Sequence, residues 1–128
     1  MYSLLYVIIM KFRLSKTFKF DAAHKLVDYD GACANLHGHT YKLIVTVEGT
    51  PDKTGMVMDL FDLKRIVTEK IVSKMDHCFL NDLYSQPTVE NMAKDIFLKL
   101  EKEFEKTKVN LFSIRLYEGE GSYVEVFQ

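Results

Sequence analysis

Cysteine is scarce in this 128-residue chain, which holds two, Cys33 and Cys78. Two thiols cannot build the dense framework of a small secreted scaffold; they leave one disulfide as an option and point to a reducing cytoplasm. Excess charge of either sign is also missing, Lys plus Arg numbering 17 against Asp plus Glu 18. That balance leaves no footprint for nucleic acid or a membrane surface. The apolar segment Tyr2–Met10 is too short to span a bilayer, and it lacks both a preceding basic region and a small-residue cleavage site, so it is not read as a targeting signal. There is no Gly-rich dinucleotide fingerprint, no internal repeat and no linker. Residues 1–10 are expected to be an extension or a lead-in to the first strand, with Met10 a plausible true start, and 11–128 a single domain. At 48% hydrophobic and 27% charged, the composition is that of a soluble globular protein.

Against those absences stands a concentration of histidine. From Phe12 to Ala22 the even positions are apolar except Lys16 and the odd ones polar, the period of a half-buried strand, and continuing the alternation puts His24 on the apolar face. A second strand is expected from about His37 to Glu48, with His37, His39, Tyr41, Leu43, Val45 and Val47 on one face. Residues two apart on a strand share a face with side chains about 6.5 to 7 Å apart, so His37 and His39 can close on one ion, and Gly38 between them keeps the opposite face open. If the two strands form a hairpin, His24 joins them. Three neutral imidazoles suit zinc, and a count of three leaves a place for water or substrate, as in catalytic sites; iron or nickel would accept the same ligands.

The rest of the chain supplies a frame. Asp59 is a good N-cap for a helix carrying Leu60, Leu63, Ile66, Val67, Ile71 and Val72 and ending near Met75; Thr88 caps a second helix with a stripe of Met92, Ala93, Ile96, Phe97, Leu100 and Phe104. Met56–Met58 reads as a short extended piece and Asp76–Asp82 as a loop. Alternation over residues 109–118 and again over 122–128 gives two more strands. The fold class is therefore α+β: a four-stranded antiparallel sheet with two helices on one face, in the order ββααββ.

Other residues carry chemistry more ambiguously. Cys33 is either a fourth ligand or an acid or base beside the metal, a role that needs a neighbour to lower its thiol pKa. His77 is the natural partner, oriented by Asp76, although a histidine after a helix is also favoured by the helix dipole alone. Glu118, by pattern alone, faces solvent at the end of its strand. Cys78 reads as a packed small residue.

Six blocks in register then resemble one family: Phe20-Asp21-Ala22-Ala23-His24-Lys25-Leu26; Cys33-x-x-x-His37-Gly38-His39-Thr40-Tyr41; Thr54-Gly55-Met56-Val57-Met58-Asp59-Leu60; Asp76-His77-Cys78-Phe79-Leu80-Asn81-Asp82; Pro87-Thr88-Val89-Glu90-Asn91; and Tyr117-Glu118. From about Lys11 onward the chain is similar to the 6-pyruvoyl-tetrahydropterin and 6-carboxy-tetrahydropterin synthases. The resemblance implies a tunnelling fold, usually a homohexamer built as a dimer of trimers with active sites between subunits. It implies one zinc per subunit on His24, His37 and His39, Cys33 as proton-transfer residue with Asp76 and His77 as its relay, and Glu118 anchoring the pterin. Thr88 and Lys25 are the further expected substrate contacts, Lys25 standing where Arg is common and Val89 where some members have a second Thr. The three-residue gap before His37 and the Leu80-Asn81-Asp82 run resemble the 6-carboxy enzymes of queuosine and deazapurine biosynthesis. Such enzymes convert 7,8-dihydroneopterin triphosphate to 6-carboxy-5,6,7,8-tetrahydropterin, acetaldehyde and triphosphate. The alternatives are a pyruvoyl synthase, a folate-pathway side-chain lyase or, outside enzymes, a non-catalytic metal-binding module.

Overall fold

The strongest alternation in the sequence becomes the longest pairing in the protein. In the computed structural model, which describes residues 10–128, β1 spans Phe12–His24 and β2 spans His37–Gly49. They run antiparallel in one unbroken register, from Phe12 opposite Gly49 to His24 opposite His37. Phe18, Phe20, Ala22 and His24 of β1 are buried with Tyr41, Leu43, Val45 and Val47 of β2, while Lys19, Asp21 and Thr40 face outward. The expectation for residues 1–9 lies outside the described residues.

Two helices cover the apolar face. Helix α1 begins at Leu60–Val67, passes through a π-helical turn at Thr68–Val72 and closes at Ser73–Met75. Asp59 caps it, its carboxylate accepting the Phe61 N–H at 2.8 Å. Helix α2, Val89–Phe104, is capped by Thr88, whose hydroxyl accepts the Asn91 N–H at 3.1 Å. The six buried residues of α2 are the stripe that the sequence predicts, because apolar residues three and four apart share one helical face. Among the described residues, no helix is long and apolar enough to cross a membrane.

The sheet corrects the sequence reading. Among the described residues it has five strands, not four, in the order β3-β1-β2-β4-β5, where β3 is Cys78–Phe79, β4 is Asn110–Glu118 and β5 is Tyr123–Phe127. β3 lies parallel to β1, pairing Cys78 with Ala22 and Phe79 with Ala23, so the sheet is mixed and the element order is ββαβαββ. A two-residue strand is too short to show a period, which is why residues 76–82 read as a loop. Among the described residues, Met56–Met58 pairs with no strand. Along β4 the alternation is broken: Thr46 pairs with Ser113 and Val47 with Leu111, leaving Phe112 as an extra residue. Such a bulge switches the inward face, from Val109 and Leu111 before it to Ile114 and Leu116 after it. Glu118, opposite Tyr41, consequently points to the same side as the imidazoles.

Candidate active site

Three imidazoles converge at the end of the β1–β2 hairpin. His24 is 1% exposed, and its Nε2 stands 3.0 Å from that of His37. The outer nitrogens of both rings are committed: His24 Nδ1 lies 2.8 Å from the Pro87 carbonyl and His37 Nδ1 2.7 Å from that of Asn35. A carbonyl only accepts, so each Nδ1 donates, which in a neutral ring leaves a lone pair on each Nε2. Among the described residues, His39 Nε2 is buried without a hydrogen-bond partner, with Glu118 Oε1 at an ion-pair distance of 3.1 Å. Burial pushes the His39 pKa down, against the attraction of Glu118. The ligand atoms of His24, His37, His39 and Glu118 all lie within 4.8 Å of one another. Four potential ligand atoms gathered this closely suit a divalent cation, and three imidazoles with an oxygen fit zinc.

A cavity of about 510 Å³ opens beside these groups, with His24, Thr88 and Glu118 in its wall together with Tyr29, Glu90 and Ser122. That volume lies in the range of small-molecule sites. Tyr41, fully buried, brings its hydroxyl to 3.3 Å from His24 Nδ1; burial and then the Glu118 charge raise its pKa, keeping it protonated.

The other expected residues lie elsewhere. Asp76 and His77 form their pair, His77 Nδ1 standing 3.0 Å from Asp76 Oδ2. Asp21 fixes it from β1: its N–H donates to Asp76 Oδ1 at 3.0 Å and its carbonyl accepts the His77 N–H at 2.6 Å. The Asp21 N–H is the main reason the Asp76 pKa is lowered, with His77 adding to it. The pair gathers with the outward carboxylate of Asp21, which Thr40 also contacts, on the face of the sheet opposite the imidazoles. A cavity of about 600 Å³ there is lined by Asp21, Thr40 and His77. Cys33 sits in a 3-10 turn, Ala32–Ala34, and its sulfur belongs to neither group. Both cysteines are free thiols. Lys25 is exposed, with its main chain held at both ends by Asn81, at 3.0 and 2.9 Å, and its side chain is not in the cavity wall.

The model of the 6-pyruvoyl tetrahydropterin synthase family matches residues 13–128. The chain belongs to that family. A 6-carboxy-5,6,7,8-tetrahydropterin synthase of Haemophilus influenzae is 37% identical over 140 residues, covering 89% of this chain and 97% of that protein. A dihydroneopterin monophosphate aldolase of Pyrococcus furiosus is 39% identical over 119 residues, with 91% and 98% covered. The structure of the Caenorhabditis elegans 6-pyruvoyl tetrahydropterin synthase superposes with a TM-score of 0.82 at 26% identity, covering 93% of this chain and 96% of that one.

Within this family member, sequence reasoning overlooked the residues that hold the site in place. Asn81 clamps Lys25, and Gln86 clamps Val27 by accepting its N–H at 2.7 Å and donating to its carbonyl at 2.8 Å. Amide side chains in a loop give no periodic signal. The aids that do exist are position-specific: Asn81 falls in the Leu80-Asn81-Asp82 run, and Gln86 immediately precedes Pro87.

Proposed function

We propose that this chain is a zinc-dependent lyase converting 7,8-dihydroneopterin triphosphate and water to 6-carboxy-5,6,7,8-tetrahydropterin, acetaldehyde and triphosphate, a step of queuosine and related deazapurine biosynthesis. The enzyme works as a homohexamer, a dimer of trimers, in the reducing cytoplasm that two free thiols suit. The observation carrying this reading is the meeting of His24, Thr88 and Glu118 in one cavity wall beside the converging imidazoles.

His24, His37 and His39 would hold the zinc, which when bound supplies Lewis acidity toward the oxygens of the substrate side chain. Glu118 accepts hydrogen bonds from the guanidine-like edge of the pterin, a fork that a carboxylate matches with both oxygens. Thr88 adds a hydroxyl to the same wall, and Lys25 offers a flexible cation for the phosphates. Cys33 removes or returns a proton at the side-chain carbon, and His77, oriented by Asp76, exchanges that proton with the thiol. In one chain the Asp76–His77 pair and the imidazoles occupy opposite faces of the sheet, which supports a reading in which the pair serving a given Cys33 comes from a neighbouring subunit. Oxidation of the side chain accompanies reduction of the pterin ring, and water is the only co-reactant, so no nicotinamide is needed.

The Pyrococcus furiosus relative favours a second reading, a dihydroneopterin side-chain aldolase. Incubation of the zinc-loaded protein with 7,8-dihydroneopterin triphosphate separates the possibilities by product. Acetaldehyde with a 6-carboxypterin supports the proposal. A 6-hydroxymethylpterin supports the aldolase, an intact three-carbon side chain a pyruvoyl synthase, and no turnover a non-catalytic metal-binding module.

A further inference from the structure

Glu118 stands within contact distance of the imidazoles. Its Oε1 is 3.1 Å from His39 Nε2, and on the other side of the cluster the His24 and His37 Nε2 atoms are 3.0 Å apart. Bonds of about 2.0 to 2.1 Å at tetrahedral angles put ligand atoms roughly 3.3 Å apart. The two observed separations are close to that spacing, and all four ligand atoms lie within 4.8 Å of one another. The approach is not made as a hydrogen bond, since among the described residues His39 Nε2 is buried with no hydrogen-bond partner. Cys33, the other candidate for a fourth ligand, is not in the group.

We infer that Glu118 has two successive partners: in the substrate-free enzyme its carboxylate closes the metal site as fourth ligand, and an arriving pterin draws it away and opens that place. The inference rests on the proposed function, which assigns the pterin to Glu118 and the metal to the imidazoles. The surroundings allow such an exchange. The Glu118 main chain is fixed, its N–H donating to the Ser122 carbonyl at 3.1 Å and the Gly119 N–H donating to the Thr40 carbonyl at 3.2 Å. Gly119 makes the turn with φ +76°, a conformation that favours glycine. The side chain, by contrast, is 27% exposed and lines the open cavity. A rigid backbone with a carboxylate free to turn couples opening of the coordination place to arrival of the correct ring, so the Lewis acid is exposed only when substrate is present.

The test measures zinc affinity by chelator competition in the full-length wild type, Glu118→Gln and Glu118→Ala, with melting in chelator as a check that the variants fold. Loss of a direct ligand is expected to weaken zinc binding at least as much as loss of an outer-shell partner, about 10-fold or more. In the cobalt-substituted wild type, neopterin is expected to change the visible spectrum as the carboxylate leaves. Wild-type zinc affinity in both folded variants overturns the ligand role and leaves the three-imidazole centre standing. A cobalt spectrum indifferent to saturating neopterin overturns the exchange. Failure of the wild type itself to bind zinc overturns this inference and the proposed metal centre together.

Discussion

His24 and His37 are direct cross-strand partners whose Nε2 atoms face each other at 3.0 Å, each ring held from behind by a main-chain carbonyl. Neutral rings so placed would turn two lone pairs toward each other, an arrangement that a cation would relieve, so metal binding is expected to be linked to folding. Zinc added to chelator-stripped protein is expected to raise its stability by about 2.7 kcal/mol at a free concentration 100 times the dissociation constant. His37→Ala should abolish both stoichiometric binding and that gain. Thermal melting with and without zinc makes the check, and a melting temperature that zinc leaves in place counts against the centre.

Cys33 is anchored through its main chain, its carbonyl accepting the Leu26 N–H at 2.8 Å, so truncating the thiol leaves the turn intact. Cys33→Ala should therefore fold and keep its zinc. Turnover is expected to fall by about 10² to 10⁴, the usual contribution of a positioned proton-transfer group. Zinc content and steady-state rate measured on one preparation decide the matter: loss of metal with loss of rate would recast the thiol as a ligand.

Where the sequence was legible, it was so because one physical signal ran over many residues. Alternation along β1 and β2 placed His24, His37 and His39 on one face, and the α2 stripe matched residue for residue. Where it was silent, the feature was short or non-local. β3 has two residues and no period of its own. The bulge at Phe112 shows only in pairing with β2, and Glu118, which shares its parity with Ile114 and Leu116, reads as solvated because it ends the strand beside Gly119 and Gly121. Asp21 looked like an ordinary outward residue of β1. Its main chain is what positions Asp76 and His77, a contact across 55 residues of chain.

Asp76 has its pKa held below the ordinary value of 3.8, first by the Asp21 N–H and then by His77. A carboxyl depressed in the folded state contributes stability that is complete above its unfolded pKa and is lost as pH falls through the folded one. Asp76→Asn cannot titrate, so the stability difference between wild type and variant should shrink on acidification from about pH 4 downward. Urea denaturation across the acid range checks this. Asp52 and Glu103 are depressed as well, and because both remain in the variant, the difference curve isolates Asp76. A difference constant with pH would show that the Asp21 and His77 contacts do not favour the charged form.

The separation of the two groups across the sheet makes a stronger demand on the assembly. Asp76 and His77 lie with Asp21 and Thr40 on the outward face, and the imidazoles lie on the inward face beside the cavity that Thr88 and Glu118 line. If each reaction centre takes its imidazoles and Cys33 from one chain and its Asp76–His77 pair from another, Cys33→Ala and His77→Ala should each be inactive alone. Some centres in mixed oligomers would then combine an intact thiol with an intact pair. Unfolding and refolding the two variants together should recover turnover that neither has when refolded by itself, with activity rising as the mixture approaches equal parts. Refolded mixtures of verified mixed composition that stay inactive would place thiol and relay in the same chain, and would require a rearrangement bringing Asp76 and His77 around the edge of β1.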